Sequence, residues 1–282
     1  MTQKQEIHFR KMHGLGNDFV IIDCRDNGLD ITPAQMQAMG SRKRGIGCDQ
    51  FGLLKRSENW QETTFMEIYN NTGEQVEACG NMTRCVADIL MTEDDTDNVI
   101  IETLYGSLNC WREENGLIRV EMGKAQTEWQ QIPLSQNCDT LELPIELEGL
   151  GKPTAVNVGN PHCVFFVGKG LDKWEDNHVE KLGSFIETHE LFPNKTNVEF
   201  VEVLSPTHIR MRVWERGVGI TEACGSGACA VAVAAIRRGL TERNVTVTLD
   251  GGDLVIGWPS DDAPISMTGS ATHVFDGEFL LT

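Results

Sequence analysis

One short stretch occurs twice in the chain, as Glu77-Ala78-Cys79-Gly80-Asn81 and as Glu222-Ala223-Cys224-Gly225-Ser226-Gly227. Apolar residues follow each cysteine at helical spacing, so each copy predicts a turn that begins a helix. An alternating run precedes each copy, 65–69 before the first and 209–213 before the second, and such a pattern is typical of a half-buried strand. The repeat therefore predicts two similar halves, each a sheet curved round one helix.

Length and composition agree with two folded domains. The chain has 282 residues, 40% of them apolar and 23% charged, as in ordinary globular proteins. The polar, proline-bearing segment 126–152 has little periodicity, which makes it the predicted crossing between the domains. A formal charge of −18 argues against a basic surface for nucleic acid or anionic membrane. A small-molecule ligand stays open.

The N-terminus and the cysteine content predict a soluble cytoplasmic protein. Residues 1–6 carry no apolar signal core, and the longest apolar run, 228–236, is too short to cross a bilayer. The nine cysteines are odd in number and lack the dense spacing of a secreted disulfide scaffold, so most are expected as reduced thiols in a cytosol. Secretion with one unpaired cysteine is the alternative.

Other local signals predict the remaining elements. Thr32-Pro33 predicts a helix start, and that helix is expected to end near Met39-Gly40. Arg42-Lys43-Arg44 is interpreted as a solvated basic turn. The helix at 228–236 is apolar nearly all round and is expected to be surrounded by sheet. Strands are predicted at 7–12, 19–23, 64–69, 99–103, 107–111, 117–122, 155–158, 163–167, 198–204, 208–214, 245–249 and 253–258, with further strand pairs around 274 and 279.

A cysteine at a helix start has a specific chemistry. The helix dipole and the unpaired N–H groups of the first turn favour a thiolate, which can act as a base near neutral pH. The same N–H groups, at Gly80-Asn81 and at Gly225-Ser226, can bind a carboxylate. With a thiol on each side of one carboxylate, one sulfur removes the α-hydrogen and the other returns a proton to the opposite face. Such an inversion needs no organic cofactor.

The cysteines also have other interpretations. Cysteine is among the most buried residue types, so Cys24, Cys85, Cys110, Cys138 and Cys229 are interpreted as inert core thiols. A four-thiolate zinc site does not match the cysteine spacings, and no metal site is predicted. A thiol-redox protein that uses a disulfide between the two repeated cysteines stays open as a different functional class.

Five motifs are spread along nearly the whole chain. They are Met12-His13-Gly14-Leu15-Gly16-Asn17-Asp18-Phe19, Gly45-Ile46-Gly47-Cys48-Asp49-Gln50, Ala78-Cys79-Gly80-Asn81, Gly159-Asn160-Pro161-His162, and Glu215-Arg216-Gly217 leading to Ala223-Cys224-Gly225-Ser226-Gly227. In sequence and in order they resemble the motifs of one known family, the diaminopimelate epimerases. The resemblance implies an isomerase that interconverts LL- and meso-2,6-diaminoheptanedioate in lysine and peptidoglycan precursor synthesis, without pyridoxal phosphate or metal.

The resemblance also assigns roles to residues. It makes Cys79 and Cys224 the acid/base pair, and it makes His162 and Glu215 the residues that adjust thiol ionisation. It implies that Arg216 binds the distal carboxylate with two hydrogen bonds. The implied substrate-binding set is Asn17, Gln50, Asn70, Gly80, Asn81, Asn160, Asn197, Glu215, Arg216, Gly225 and Ser226.

The fold that the resemblance implies is α+β, with two pseudo-symmetric domains that each wrap a mixed, mostly antiparallel sheet around a central helix. The expected domains are 1–124 together with 270–282, and 125–269. A homodimer is a possible assembly. A proline or hydroxyproline racemase of the same fold is the alternative enzyme, while dehydratase and phenazine-type relatives are disfavoured by the two intact cysteines. Met82-Thr83 and Cys48 depart from the family's usual smaller residues.

Overall fold

The computed structural model describes residues 5–26, 28–57, 64–76 and 79–281, with the side chains of Gln5 and Leu281 left out. Glu77 and Ala78, with which the first copy of the repeat begins, lie outside these ranges. The chain forms two compact units, unit 1 with residues 1–120 and 269–282 and unit 2 with residues 121–268.

Strands make up most of the regular structure. In chain order they are β1 (Gln5–Gly14), β2 (Asn17–Asp23), β3 (Gln50–Lys55), β4 (Thr64–Asn70), β5 (Gln75–Val76), β6 (Asn98–Thr103), β7 (Gly106–Arg112), β8 (Ile118–Lys124), β9 (Thr154–Asn157), β10 (Pro161–Phe166), β11 (Asn197–Ser205), β12 (His208–Glu215), β13 (Gly219–Ile220), β14 (Asn244–Leu249), β15 (Gly252–Gly257), β16 (Pro264–Gly269) and β17 (Thr272–Leu281). The helices are α1 (Pro33–Gly40), α2 (Gly80–Glu93), α3 (Asp176–Glu187) and α4 (Gly225–Arg237).

The strands of unit 1 form a mixed sheet. β1 pairs antiparallel with β2, β2 parallel with β3, and β3 antiparallel with β4. One end of β4 pairs antiparallel with β5 and the other end parallel with β6, after which β6, β7 and β8 continue as antiparallel neighbours. β17, from the end of the chain, pairs antiparallel with β1.

The same pairing pattern recurs in unit 2. β9 to β12 repeat the antiparallel, parallel and antiparallel sequence of β1 to β4. β12 then pairs antiparallel with β13 and parallel with β14, and β14, β15 and β16 are antiparallel neighbours. In sequence, α2 follows β5 and α4 follows β13. α1 lies between β2 and β3, and α3 lies between β10 and β11. The expected α+β fold with two halves of like topology is therefore present.

Local sequence explains where the helices begin. The Thr32 side chain caps α1, Gln35 completes a capping box, and Pro33 occupies the first turn, as predicted. Cys79 and Cys224 are the extended N-cap residues of α2 and α4. α4 is buried from Gly227 to Ala235, as its apolar composition predicts. α3 was missed, because its inward positions Val179 and Ile186 stand among charged residues that mask the helical period.

The segment 126–152 is a part of unit 2, which corrects its interpretation as a crossing between domains. Its backbone is irregular, yet Ile132, Leu134, Leu143 and Ile145 are buried in the same core as Phe165 and Phe200. Its apolar residues are too widely spaced to show a period, so the sequence alone gave no sign of their burial.

Among the described residues, no helix combines the length and the apolar character that a membrane crossing requires.

The packing of α3 on β12 yields a first prediction. A Cβ atom on Gly183 would lie 2.4 Å from the Cβ of Trp214 and 2.5 Å from its Cγ. We expect Gly183→Ala to lower the free energy of unfolding in urea by about 1–3 kcal/mol, because this overpacking outweighs the higher helix propensity of alanine. Gly168→Ala is the control, since nothing lies within 4 Å of its added Cβ. Equal stability of the two variants would contradict the close packing.

Candidate active site

The residues that the resemblance singled out gather at one edge of each sheet. Parallel neighbours β2 and β3 begin at the same edge, and the antiparallel neighbour β4 ends there, as the pairing of Gln50 with Asn70 shows. In unit 1 this edge holds Asn17, Gln50, Asn70, Cys79, Gly80 and Asn81. The corresponding edge in unit 2 holds Asn160, His162, Asn197, Glu215, Arg216, Cys224, Gly225 and Ser226.

Cys79 lies beside Asn17 at the start of α2. Its half-buried thiol is 3.7 Å from the Asn17 Oδ1, to which it donates, and the Asn81 Nδ2 donates to the same oxygen at 3.3 Å. The Asn17 Nδ2 in turn donates to the Asp49 Oδ2 at 2.9 Å. Asn17 is therefore held by its amide nitrogen, and its oxygen is turned toward the cysteine.

Asp49 is held in turn by ion pairs. The Arg42 Nη2 donates to the Asp49 Oδ1 at 2.7 Å and to the Asp18 Oδ1 at 2.6 Å, and Lys11 also pairs with Asp18. Burial opposes ionisation of Asp18, but hydrogen bonds and charges from Arg42 and Lys11 outweigh it and lower its pKa to about 2. Arg42 is thus part of an ion-pair network, where the sequence interpretation had a merely solvated turn. Little in the sequence indicated this network, because Asp18 lies 24 residues before Arg42 and Asp49 lies 7 residues after it.

Gln50 and Asn70 complete the edge of unit 1. The Gln50 Oε1 is buried and has no hydrogen-bond partner among the described residues. Asn70 ends β4, and its backbone N–H donates to the Glu74 carbonyl at 2.8 Å across a turn. A buried amide oxygen without a partner is costly, so the Gln50 side chain is suited to accept a hydrogen bond from a ligand.

Cys224 has different surroundings. It is buried, its Sγ accepts from the Gly227 N–H at 3.3 Å, and the Ser226 Oγ is 3.6 Å away. Burial, followed by the negative charges of Glu215 and Glu199, raises the pKa of Cys224 well above its usual value. The expectation that a helix start favours the thiolate therefore fails at this cysteine, because desolvation and like charge outweigh the N–H donors.

His162 and Glu199 form a buried pair next to Cys224. The His162 Nδ1 is 2.6 Å from the Glu199 Oε1, its Nε2 is 2.8 Å from the Asn160 Oδ1, and both side chains are fully buried. Burial raises the pKa of Glu199, against the opposing effect of His162. Glu199 was not predicted as a site residue. Its one signal in the sequence is that it is a charged residue at an inward position of the apolar strand 198–201.

Glu215, at the end of β12, faces the same cysteine. Burial raises the pKa of its carboxyl group, while hydrogen bonds from Thr221 and Cys224 and the charge of His162 act in the opposite direction. Asn197 lies beside it in the fold, where its Oδ1 accepts from the Arg216 N–H at 2.9 Å and its Nδ2 donates to the Pro161 carbonyl at 3.1 Å.

Arg216 lies at the outer end of this group. Its guanidinium is exposed and donates through Nη1 to the Asn194 carbonyl at 3.1 Å, so other N–H donors remain for an anion. Asn197 fixes the backbone of this residue, which places the guanidinium at the rim of the unit 2 edge.

Each helix start can bind a carboxylate. The first backbone hydrogen bonds of α2 and α4 are donated by Thr83 and Ala228 to the carbonyls of the two cysteines, so the preceding N–H groups point out of the helix. All nine cysteines lie in the described ranges, and none of them forms a disulfide. Within the described part of the chain, no three His, Cys, Asp or Glu side chains form a group that could hold a metal ion.

Comparisons with known proteins identify the family of the chain. The family model described as diaminopimelate epimerase matches residues 9–128 and 154–274. Proteins named diaminopimelate epimerase from Rhodospirillum centenum and Sphingopyxis alaskensis are each 47% identical over 96% of this chain, and the match covers 91% and 96% of their own lengths.

Solved structures share the fold. A phenazine biosynthesis protein of the PhzF family from Bacillus anthracis matches with a TM-score of 0.70 at 16% identity, covering 98% of this chain and 100% of its own. A hydroxyproline epimerase from Agrobacterium vitis matches with a TM-score of 0.70 at 13% identity, covering 100% and 94%. These two likenesses concern the fold alone. Because the family model matches most of this chain and the named relatives are nearly half identical to it, the chain belongs to the diaminopimelate epimerase family.

Proposed function

We propose that this chain interconverts LL- and meso-2,6-diaminoheptanedioate, a step of lysine and peptidoglycan precursor synthesis, by a two-base mechanism without an organic cofactor. The observation that carries the proposal is a cysteine at the start of a helix, at the same place in two units of the same topology. The family and the 47% identity to named diaminopimelate epimerases support the substrate.

The reaction breaks one C–H bond and forms another on the opposite face of the same carbon. In one direction Cys79 first gives up to solvent the proton that it donates to the Asn17 Oδ1 in the ligand-free structure, and the thiolate then takes the α-proton. The electron pair left on carbon spreads into the carboxylate. Helix N–H groups, including those of Gly80, Gly225 and Ser226, stabilise the charge that develops there. The Cys224 thiol then gives its proton to the other face and becomes a thiolate. The reverse reaction exchanges the two roles.

The state of Cys224 in the ligand-free protein suits its role as the acid. A two-base inversion needs one thiol and one thiolate at the start of each turnover. Because burial, Glu215 and Glu199 raise the pKa of Cys224 well above its usual value, this sulfur carries a proton at neutral pH. Glu215 and His162 are proposed to adjust that ionisation.

The substrate-binding roles extend along both sheet edges. We propose that the exposed guanidinium of Arg216 binds the distal carboxylate, with Asn17, Gln50, Asn70, Asn160 and Asn197 around the rest of the substrate. A diamino diacid offers a second ammonium and a second carboxylate, which a prolyl substrate lacks. This favours it over the racemase alternative, for which the hydroxyproline epimerase likeness supplies only a shared fold.

We further propose that the chain forms two domains, 1–124 with 270–282 and 125–269. We also propose that it lies in the cytoplasm, where both thiols stay reduced, and that it can form a homodimer. A redox protein that uses Cys79 and Cys224 would lose activity in full reductant, whereas the epimerase requires it.

Solvent isotope incorporation tests the activity directly. The reduced protein is incubated with LL-diaminopimelate in D2O, and both isomers are analysed by mass spectrometry at early times. We expect deuterium at one α-carbon of the meso product before it appears in the remaining LL substrate, because the proton is delivered by a sulfur different from the one that removed it. The absence of deuterium from the α-carbon would overturn the proposed function.

Replacement of the two repeated cysteines tests their roles. We expect Cys79→Ala and Cys224→Ala each to lower kcat by at least about 100-fold, the size of a lost general acid or base. Cys138→Ser is the control, since this half-buried cysteine lies outside both sheet edges, and it should keep wild-type turnover. Wild-type kcat in either alanine variant would remove that cysteine from the mechanism.

The network behind Cys79 gives a further prediction. Asp49→Asn removes the charge that holds the Asn17 Nδ2 and lets the Asn17 amide rotate away from the cysteine. We expect kcat/KM for diaminopimelate to fall by about tenfold, the effect of one charge-assisted hydrogen bond. Asp26→Asn is the control, because its ion pair with Arg56 is exposed. An unchanged kcat/KM in a folded Asp49→Asn protein would show that Asn17 needs no such support.

A further inference from the structure

The shared topology allows the two cysteines to be compared position by position. Phe19 pairs with Gln50 in unit 1, and His162 pairs with Asn197 in unit 2. Two residues further along the second strand of each pair stand Gly52 in unit 1 and Glu199 in unit 2. In the same alignment Asn17 corresponds to Asn160, and a glycine precedes each of them. Asn70 at the end of β4 corresponds to Glu215 at the end of β12.

At two aligned positions, one unit has a glycine where the other unit has a large side chain. Three residues after the cysteine, α2 has Met82 and α4 has Gly227. A Cβ atom on Gly52 would lie 2.8 Å from the Met82 Sδ, so the methionine fills the space above this glycine. A Cβ atom on Gly227 would lie 3.1 Å from both the Glu199 Oε1 and the Cys224 Sγ. The glutamate therefore occupies in unit 2 the space that the methionine occupies in unit 1.

The result is a chemical difference behind two equivalent helix starts. In unit 1 the fully buried Phe19 and Met82 occupy the positions equivalent to those of the fully buried His162 and Glu199, which lie behind Cys224. Neither Phe19 nor Met82 carries a charge that could act on a sulfur. A carboxyl group with its partner imidazole acts on the ionisation of any thiol beside it.

The hydrogen bonds of His162 link Glu199 to the substrate edge. The Asn160 Oδ1 can only accept, so the His162 Nε2 donates to it, and the proton at Nδ1 lies between the imidazole and Glu199. Asn160 is thereby held by its oxygen and presents its NH2 group. In unit 1 Phe19 cannot do this, and Asp49 holds Asn17 by the opposite end of its amide.

Other titratable groups also face the pair. Among the described residues of the elements packed against α4, those that act on Glu199 or Cys224 include His162 and Cys163 on β10 and Glu215 on β12. The buried positions of β14 and β15 are apolar. Glu199 and Glu215 are therefore the two carboxyl groups that act on the Cys224 sulfur.

We propose that Glu199 is a positioning residue for the acid side of the reaction. Through His162 it orients the Asn160 amide, and through its carboxyl group above Gly227 it keeps Cys224 as the thiol that donates the proton. This inference rests on the proposed epimerase function. The direction of the effect agrees with the geometry, because the charge of Glu199 raises the pKa of Cys224.

The pH dependence of kcat/KM tests the proposal when it is measured in the direction of the reaction in which Cys224 is the proton donor. In that direction loss of the Cys224 proton sets the limb at high pH, since a second thiolate cannot act as the acid. Glu199→Gln keeps the size of the side chain and removes its charge, so we expect this limb to move to lower pH by about one unit. Glu199→Asp keeps the charge and should keep the limb near its wild-type position. A merely structural role would lower kcat/KM equally at all pH values.

A titration of the ligand-free protein gives a readout that is independent of activity. The Cβ chemical shift of Cys224 is followed by NMR in protein labelled with 13C-cysteine and assigned with Cys224→Ser. We expect its midpoint to fall by about one pH unit in Glu199→Gln. It should stay unchanged in Glu202→Gln, where the lost carboxylate oxygen accepts the distant N–H groups of Gly170 and Leu171. Glu199→Met, an apolar chain of similar length, removes the same charge should the glutamine variant not fold.

The outcomes separate this inference from the function on which it rests. Wild-type protein that fails to epimerise diaminopimelate overturns the proposed function, while the Cys224 titration still tests the effect of Glu199. An active wild-type enzyme whose high-pH limb and Cys224 midpoint are both unmoved by loss of the Glu199 charge overturns the positioning role.

Discussion

The site depends on one constraint, which is that α2 and α4 each begin with a cysteine at the sheet edge where a parallel strand pair starts. The N-cap residues Cys79 and Cys224 are extended, so the chain leaves the short strand before each helix and turns at the sulfur. Burial of the helix inside the curved sheet fixes that turn, because α2 and α4 cannot move without opening the core. In each unit, the thiol and the N–H groups of the first helical turn therefore lie side by side.

What differs between the two units lies directly behind this turn. In unit 1 the Cys79 thiol donates to Asn17, and a network of Asp49, Asp18 and Arg42 holds that asparagine. In unit 2 a buried imidazole and carboxyl group stand in the equivalent place, and Glu215 replaces the amide of Asn70. The same backbone thus supports two sulfurs with unlike surroundings, which suits a reaction that needs one proton donor and one acceptor.

Much of the fold was predictable from the sequence, because its signals are local. Periodicity marked the two repeated helices and most of the strands, though not β3, β5, β13 and β16, and Thr32-Pro33 marked α1. The cysteine repeat predicted two halves of like topology, and the family resemblance supplied the fold class and the family. Local patterns failed at α3 and at the segment 126–152, whose buried residues are scattered among polar ones.

The candidate site was predictable only where a residue belongs to a motif. Glu199 stands in no motif, and Asp49 stands in one that does not show its contact with Asn17. Both act through contacts with residues distant in sequence, and nothing local distinguishes a buried carboxylate from a solvated one. The same limit explains the wrong expectation for Cys224. The helix start is visible in the sequence, but the desolvation and the two carboxyl groups that oppose a thiolate are properties of the folded unit.

The central claim is that the two cysteines act on one α-carbon from opposite faces. The most direct measurement is a crystal structure with an unreactive diaminopimelate analogue bound to the reduced protein. The account predicts the Cys79 and Cys224 sulfurs on opposite faces of the same α-carbon, each at about 3–3.5 Å, the range of a near-attack geometry. An analogue whose α-carbon contacts only one of the two sulfurs would contradict it.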